Sequence, residues 1–327
     1  MKKSKPRKRL RSIITWSLWV LLAQFILINI SAALYAHKLT HLYTPDEHTW
    51  TKSASDNIFT KTWRLFTGPK FYHQYSKAKP TYAFTTLTLK TTSGIPLEAW
   101  HAKTDSVTPK GTVILFHGLM GNKGQLLHEA EAFRNFGFNV MLLDVRGHGN
   151  SGGNVITIGY REAEEVKLAY DYVKSTGEQS IFIWGSSMGA VEVVKAVAEY
   201  PLQPSGIIIE MPFLSLQSHL KGRARILGFP EQPFGFLTSF WIGVERGFNG
   251  NLFNTARYAK KLTCPVLMQY GRKDELVLQY ETDAIYSAIG STNKKLVIYE
   301  NAPHSLFLKE DPELWKSEVG DFLEMNR

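Results

Sequence analysis

The chain has 327 residues, of which 44% are hydrophobic, 20% charged and 13% aromatic, the balance of a globular protein long enough to bury a large core. Its formal charge of +9 is local: Lys2, Lys3, Lys5, Arg7, Lys8, Arg9 and Arg11 crowd the start with no acid among them, and removing these seven from the 38 basic residues leaves 31 against 29 acidic ones. A basic face spread over a folded domain is therefore absent and a nucleic-acid partner is excluded, while the single cysteine, Cys264, allows no intrachain disulfide and reads as a small packed residue before Pro265.

Residues 1–11 form a basic tail, and residues 12–36 carry no charge at all. As a helix this stretch measures about 37 Å, enough to cross a hydrocarbon core of about 30 Å with some tilt. Trp16, Trp19 and Tyr35 lie towards its ends, where interfacial anchors belong. The positive cluster before it predicts a single-pass membrane protein with its N-terminus in the cytoplasm and the rest on the extracytoplasmic side. The alternative is a signal peptide cleaved near Ser31-Ala32-Ala33, giving a secreted protein, although the apolar run exceeds the usual h-region of about 7–15 residues.

Residues 37–80 read as a spacer. Thr44-Pro45-Asp46-Glu47 can start a helix, Ile58, Phe59, Trp63 and Phe66 have helical spacing, and Gly68-Pro69 ends it. One or two amphipathic helices leaning on the domain or on the bilayer surface are expected.

The folded domain is expected over residues 81–327. Phe84 to Lys90 and Leu97 to His101 alternate about a Ser93-Gly94 turn, as a hairpin does. The apolar run Val113–Phe116 then leads into a helix about Gln125 to Phe136, a strand Asn139–Leu143 and a helix from Tyr160 to Lys174. A strand from Ile181, a helix from Ala190 to Glu199 and a strand Gly206–Glu210 follow. After an interruption come a strand Val266–Tyr270, a helix near Tyr280 to Ile289, a strand Lys295–Tyr299 and a terminal helix from Pro312. Alternation at these intervals predicts an α/β fold: a mostly parallel sheet with helices on both faces, opened by an antiparallel hairpin. The interruption, residues 212–258, is apolar and scattered with Gly and Pro, and is expected to be a small cap insertion or a lipid-facing patch.

Within this series Gly185-Ser-Ser187-Met-Gly189 joins a strand to a helix. Only Ser187 has glycine at both ±2, as a tight turn presenting a nucleophile requires. A serine hydroxyl needs an imidazole to take its proton and a carboxylate to fix that imidazole's tautomer. Asp274 follows the strand ending at Tyr270, and His304 follows the strand ending at Tyr299, in the chain order Ser, Asp, His. Glu275 and Glu210 are the other acids at strand ends. Two backbone N–H groups are expected to hold the oxyanion: that of Met188, after the nucleophile, and that of Leu119, in the loop after Phe116. His117 in that loop reads as structural.

His117-Gly118 after a strand, Asp144-Val-Arg-Gly-His148-Gly-Asn-Ser151, Gly-Ser-Ser-Met-Gly, Gly271-Arg-Lys-Asp274 and Ala302-Pro-His304 together resemble the α/β-hydrolase superfamily. The branch they resemble has small caps and lipase, esterase and aminopeptidase-like members. The resemblance covers roughly 82–327 and implies an acyl-ester hydrolase with an acyl-enzyme intermediate, acting on a small-molecule or lipid acyl substrate without cofactor or metal. Thioesterase or peptidase activity on the same machinery, or a non-catalytic binding protein of this fold, are the alternatives. Gly147-His-Gly149-Asn-Ser-Gly152 also fits a dinucleotide fingerprint, but the glycines lead into a loop rather than a helix.

Overall fold

The computed structural model describes residues 5–45 and 58–327. Helix α1 (Lys5–Leu39) is followed by the two-residue strand β1 (Leu42–Tyr43), helix α2 (Ile58–Thr67) and strand β2 (Phe71–Tyr72), which pairs in parallel with β1. Of the helix start expected at Thr44–Glu47, Thr44 and Pro45 are not helical, and Asp46 and Glu47 lie outside the described residues. The hairpin β3 (Thr85–Lys90) and β4 (Pro96–Ala102) opens the main sheet, and β5 (Thr112–Phe116), α3 (Leu127–Asn135), β6 (Asn139–Leu143), α4 (Ala163–Ser175), β7 (Ile181–Ser186), α5 (Met188–Glu199) and β8 (Gly206–Glu210) continue it. Then come α6 (Leu216–Ile226), α7 (Glu231–Arg246) and α8 (Thr255–Ala259), and finally β9 (Val266–Gly271), α9 (Gln279–Ala288), β10 (Lys294–Tyr299), α10 (Phe307–Glu310) and α11 (Pro312–Asn326).

The eight-stranded sheet has the order β10-β9-β8-β7-β5-β6-β4-β3, with β5 to β10 mutually parallel and β4 antiparallel to both of its neighbours. This is the α/β-hydrolase architecture. The strands are apolar without a break because both faces are covered. Ile114 and Phe116, Ile183 and Ile209 join one core with α4, α5, α8 and α9. Val113 and Leu115, Trp184 and Ile208 point the other way, into a second core with α3 and α11. The period of two divides each strand between the two cores.

The helix expected from Tyr160 starts three residues later. Thr157 to Gly159 form a tight turn with Ile158 at φ 54° and Gly159 at φ 93°. The buried Glu162 carboxylate holds that turn by accepting the N–H groups of Thr157 at 2.7 Å and of Gly159 at 2.9 Å.

Helix α1 is not a free-standing rod. Ala32, Tyr35, Ala36 and Leu39 on its last turns are buried, and the Tyr35 ring meets Phe234 of α7 edge-on at 4.9 Å. Arg246 Nε donates to Thr40 Oγ1 at 2.8 Å, and Leu42 N–H donates to the Asn154 carbonyl at 2.7 Å. The stretch expected as a spacer is thus stapled to the sheet domain at its start, while Phe59 and Trp63 of α2 face outward.

Candidate active site

The turn from β7 into α5 is held open at two glycines. A Cβ on Gly185 would lie 2.6 Å from Gly189 C, and one on Gly189 would lie 2.5 Å from the Phe116 carbonyl oxygen. Ser187 sits between them at φ 52°, ψ −113°, a conformation costly for a residue with a side chain. That strain lifts its hydroxyl above the carboxyl edge of the sheet.

His304, in the loop after β10, reaches Ser187 with Nε2···Oγ at 3.0 Å, and its Nδ1 lies 2.6 Å from Asp274 Oδ2. A carboxylate only accepts, so Nδ1 carries the proton and Nε2 is left to receive the serine's. Asp274 is itself locked: its Oδ1 accepts the N–H groups of Leu276 and Val277, each at 2.8 Å, and its side chain is wholly buried. Of the acids at strand ends, Asp274 is the one at the imidazole. Glu275 is exposed, and its carbonyl accepts from Arg225 at 2.6 Å. Glu210 points into the second core, where its carboxylate accepts the indole N–H groups of Trp184 at 3.1 Å and Trp315 at 2.7 Å. Burial pushes Glu210 up to about 7, and burial with the nearby Glu210 pushes Glu129 up to about 8. Neither carboxylate bonds Ser187 or His304 among the described residues.

Leu119 lies in the loop after β5, and Met188 opens α5. The N–H groups around them are already used: Ser187 N–H donates to the Glu210 carbonyl at 2.8 Å, Gly121 N–H to the Gly118 carbonyl at 3.0 Å, and Met120 N–H to His148 Nε2 at 3.2 Å. None of these bonds takes the N–H of Leu119 or Met188. Helix α5 also points its positive end at this spot.

Two buried histidines shape the loop. His148 Nδ1 donates to the Arg146 carbonyl at 3.0 Å, so its Nε2 is the acceptor for Met120, a residue held at φ 62°. His117 Nδ1 donates to the Gly118 carbonyl at 2.8 Å, and its Nε2 accepts Val145 N–H at 3.3 Å. Burial pulls His117 down to about 4 and His148 to about 3, with His117 adding to the latter, so both stay neutral as these bonds demand. The glycine run 147–152 wraps Asp144: a Cβ on Gly149 would strike that carboxylate at 1.9 Å. Asp144 in turn pairs with Lys123, both fully buried. The run is a folded loop around an acid, with no room for a diphosphate.

The pocket over Ser187 measures 180 Å³ and is lined by Gly118, Leu119, Gln125, Met211, His304 and Leu306, among others. Met211, Gln125 and Leu306 have no signature in the sequence. Met211, at φ 44°, turns the chain away from the end of β8 and so reaches the pocket. His219 on α6 is buried, packs on Phe213 at 4.8 Å, and has no hydrogen-bond partner at either ring nitrogen among the described residues. Burial, then Arg223, then His304 hold it well below the usual histidine range. Cys264 is partly covered, and burial pushes its thiol up to about 12.

The sequence pattern of the family described as "Serine aminopeptidase, S33" matches residues 107–234 and 252–312, more than half of the chain. Lysophosphatidylserine lipase ABHD12 of Macaca fascicularis is 25% identical over 187 residues, 53% of this chain and 44% of that protein, so the chain spans less than half of that relative's length. Monoacylglycerol lipase of Mycolicibacterium smegmatis is 24% identical over 265 residues, 70% of this chain and 92% of that one. Among solved structures, the esterase Pf2001 of Pyrococcus furiosus superposes with a TM-score of 0.64 at 25% identity, covering 77% of this chain and 97% of the esterase.

Proposed function

The chain belongs to the family described as serine aminopeptidase, S33, an α/β-hydrolase family, and from that premise we propose that it is a membrane-anchored serine hydrolase of lipophilic acyl esters. Ser187 Oγ attacks the acyl carbonyl as His304 Nε2 takes its proton. Asp274 holds the imidazole and offsets the charge that forms on it. The N–H groups of Leu119 and Met188 donate to the oxyanion. Collapse of the tetrahedral intermediate breaks the ester bond, and His304 returns the proton to the leaving alcohol. Water, deprotonated by the same imidazole, then releases the acid.

The observation that carries this reading is the hydrogen-bonded relay of Ser187, His304 and Asp274, with the serine strained above a helix N-terminus. An ester of a lipid is favoured by the apolar span of α1, by the apolar insertion of residues 212–258 acting as a cap, and by the lipases among the relatives. The charge bias at the N-terminus supports a cytoplasmic tail of residues 1–11 and a catalytic domain on the other side of the membrane.

A fluorophosphonate probe tests the assignment. Full-length protein is expected to label at Ser187, Ser187→Ala is expected to take none, and p-nitrophenyl esters of rising acyl length are expected to be cleaved only by the form that labels. Unchanged ester hydrolysis by Ser187→Ala would exclude the proposal. An aminoacyl amide of the same size, cleaved faster than the ester, would move the assignment to a peptidase.

A further inference from the structure

Helix α1 changes its surroundings part-way along. From residue 9 to residue 28 it is exposed throughout, and from Ala32 onward its inward positions are buried. About 20 residues counted from Ser12, at 1.5 Å each, measure ~30 Å, the thickness of a bilayer's hydrocarbon core. The exposed apolar length therefore ends where the hydrocarbon ends, and the folded domain begins at that level. Helix α7 reaches slightly past it: Trp241 Nε1 donates to Asn29 Oδ1 at 3.3 Å, and the Trp241 ring shares an apolar depression with Phe25 and Ile26.

Between α1, the end of α2 and α7 lies a cleft of 720 Å³. Leu27 and Ile28 of the span form one wall, and Phe229, Phe234 and Leu237 are on the other, so the cleft is continuous with the surface that lipid tails cover. Its size falls in the range of about 300–1,000 Å³ typical of small-molecule sites. An apolar recess of this size facing water would be a liability. Arg64, Gly68 and Pro69 are in its lining, and behind Gly68 the Lys38 ammonium bonds the Thr67 hydroxyl and, at 2.9 Å, the Gly68 carbonyl.

The geometry points to a binding site for one bilayer phospholipid in this cleft, with an acyl chain against Phe234 and Leu237 and the phosphate toward Arg64, the charged side chain in its lining. This rests on the membrane-anchored reading above. The bound chain fills the seam between span and cap, and so fixes the pitch of the hydrolase domain on the bilayer.

The test uses the full-length protein in vesicles of phosphatidylcholine and phosphatidylglycerol carrying a trace of phosphatidylcholine with a diazirine on one acyl chain. After irradiation, peptide mapping locates the label. The expected result is label on α1 between residues 13 and 28 and a second focus at Tyr35, Phe234 and Leu237. Leu237→Trp, which adds bulk from a half-buried position into the cleft, is expected to lose the second focus and keep the first. Label on α1 with none in the cleft, a second focus confined to the outward-facing Phe236 and Phe240, or cleft label unchanged in Leu237→Trp would each overturn the lipid site while leaving the anchor standing. No label on α1 would instead overturn the anchor reading itself.

Discussion

At the scale of single residues, the site depends on which atom of His304 carries its proton. Asp274 Oδ2 accepts from Nδ1 at 2.6 Å, and that bond alone frees Nε2 to serve as base. Asp274→Asn keeps the shape but offers an amide N–H that favours the opposite tautomer. The expected result is a fall in kcat of about 10⁴-fold with KM little changed, read from steady-state ester hydrolysis. A loss below about tenfold would mean that the carboxylate does not orient the imidazole. Ser187, Asp274 and His304 were legible in the sequence because each stands just past a run of apolar residues, in the chain order that the fold imposes. Glu210 looked equivalent by the same criterion. Its destination could not be read, because whether the last residue of β8 turns towards Ser187 or into the second core is set by Trp184 and Trp315, more than a hundred residues apart in sequence.

At the scale of elements, the loop after β5 is rigid through contacts made from outside it. His148 Nε2 accepts the N–H of Met120, a residue in the left-handed conformation next to Leu119, the proposed oxyanion donor. If Leu119 N–H holds the oxyanion as proposed, His148 acts on it as a positioning residue. His148→Ala is expected to lower kcat by about 10²-fold with KM nearly constant and the fold retained by circular dichroism. Unchanged kcat in a folded variant would show that His148 does not position the oxyanion donor. The loop's composition suggested an oxyanion donor, but nothing in it pointed to a histidine some 30 positions downstream. The helix expected from Tyr160 erred for a related reason: apolar spacing continues through the turn, and the Glu162 carboxylate that breaks it acts through the backbone of its neighbours.

At the scale of the molecule, a mostly parallel sheet covered by helices on both faces followed from alternating strand and helix patterns, whereas the seating of α1 did not. Its apolar stretch reads the same whether it enters lipid or protein, so only the fold distinguishes the exposed length from the docked turns at Ala32 to Leu39. A chain lacking residues 1–30 retains those turns and is expected to melt like the full-length protein in detergent. A chain lacking residues 1–41 loses the buried Tyr35 and Leu39, each contributing about 2 kcal/mol, and is expected to melt about 10 °C lower. Equal melting temperatures would show that the end of α1 is not part of the domain's core. The same docking places any cleavage near Ser31-Ala32-Ala33 inside a packed seam.

The acyl-enzyme on Ser187 is tested most directly by the mass of peptides from full-length protein quenched with acid during turnover of p-nitrophenyl butyrate. A butyryl group on the peptide containing Ser187, absent from Ser187→Ala and accumulating when deacylation is slowed, is the predicted result. An acyl group on any other residue, or full-speed turnover by Ser187→Ala, would contradict it.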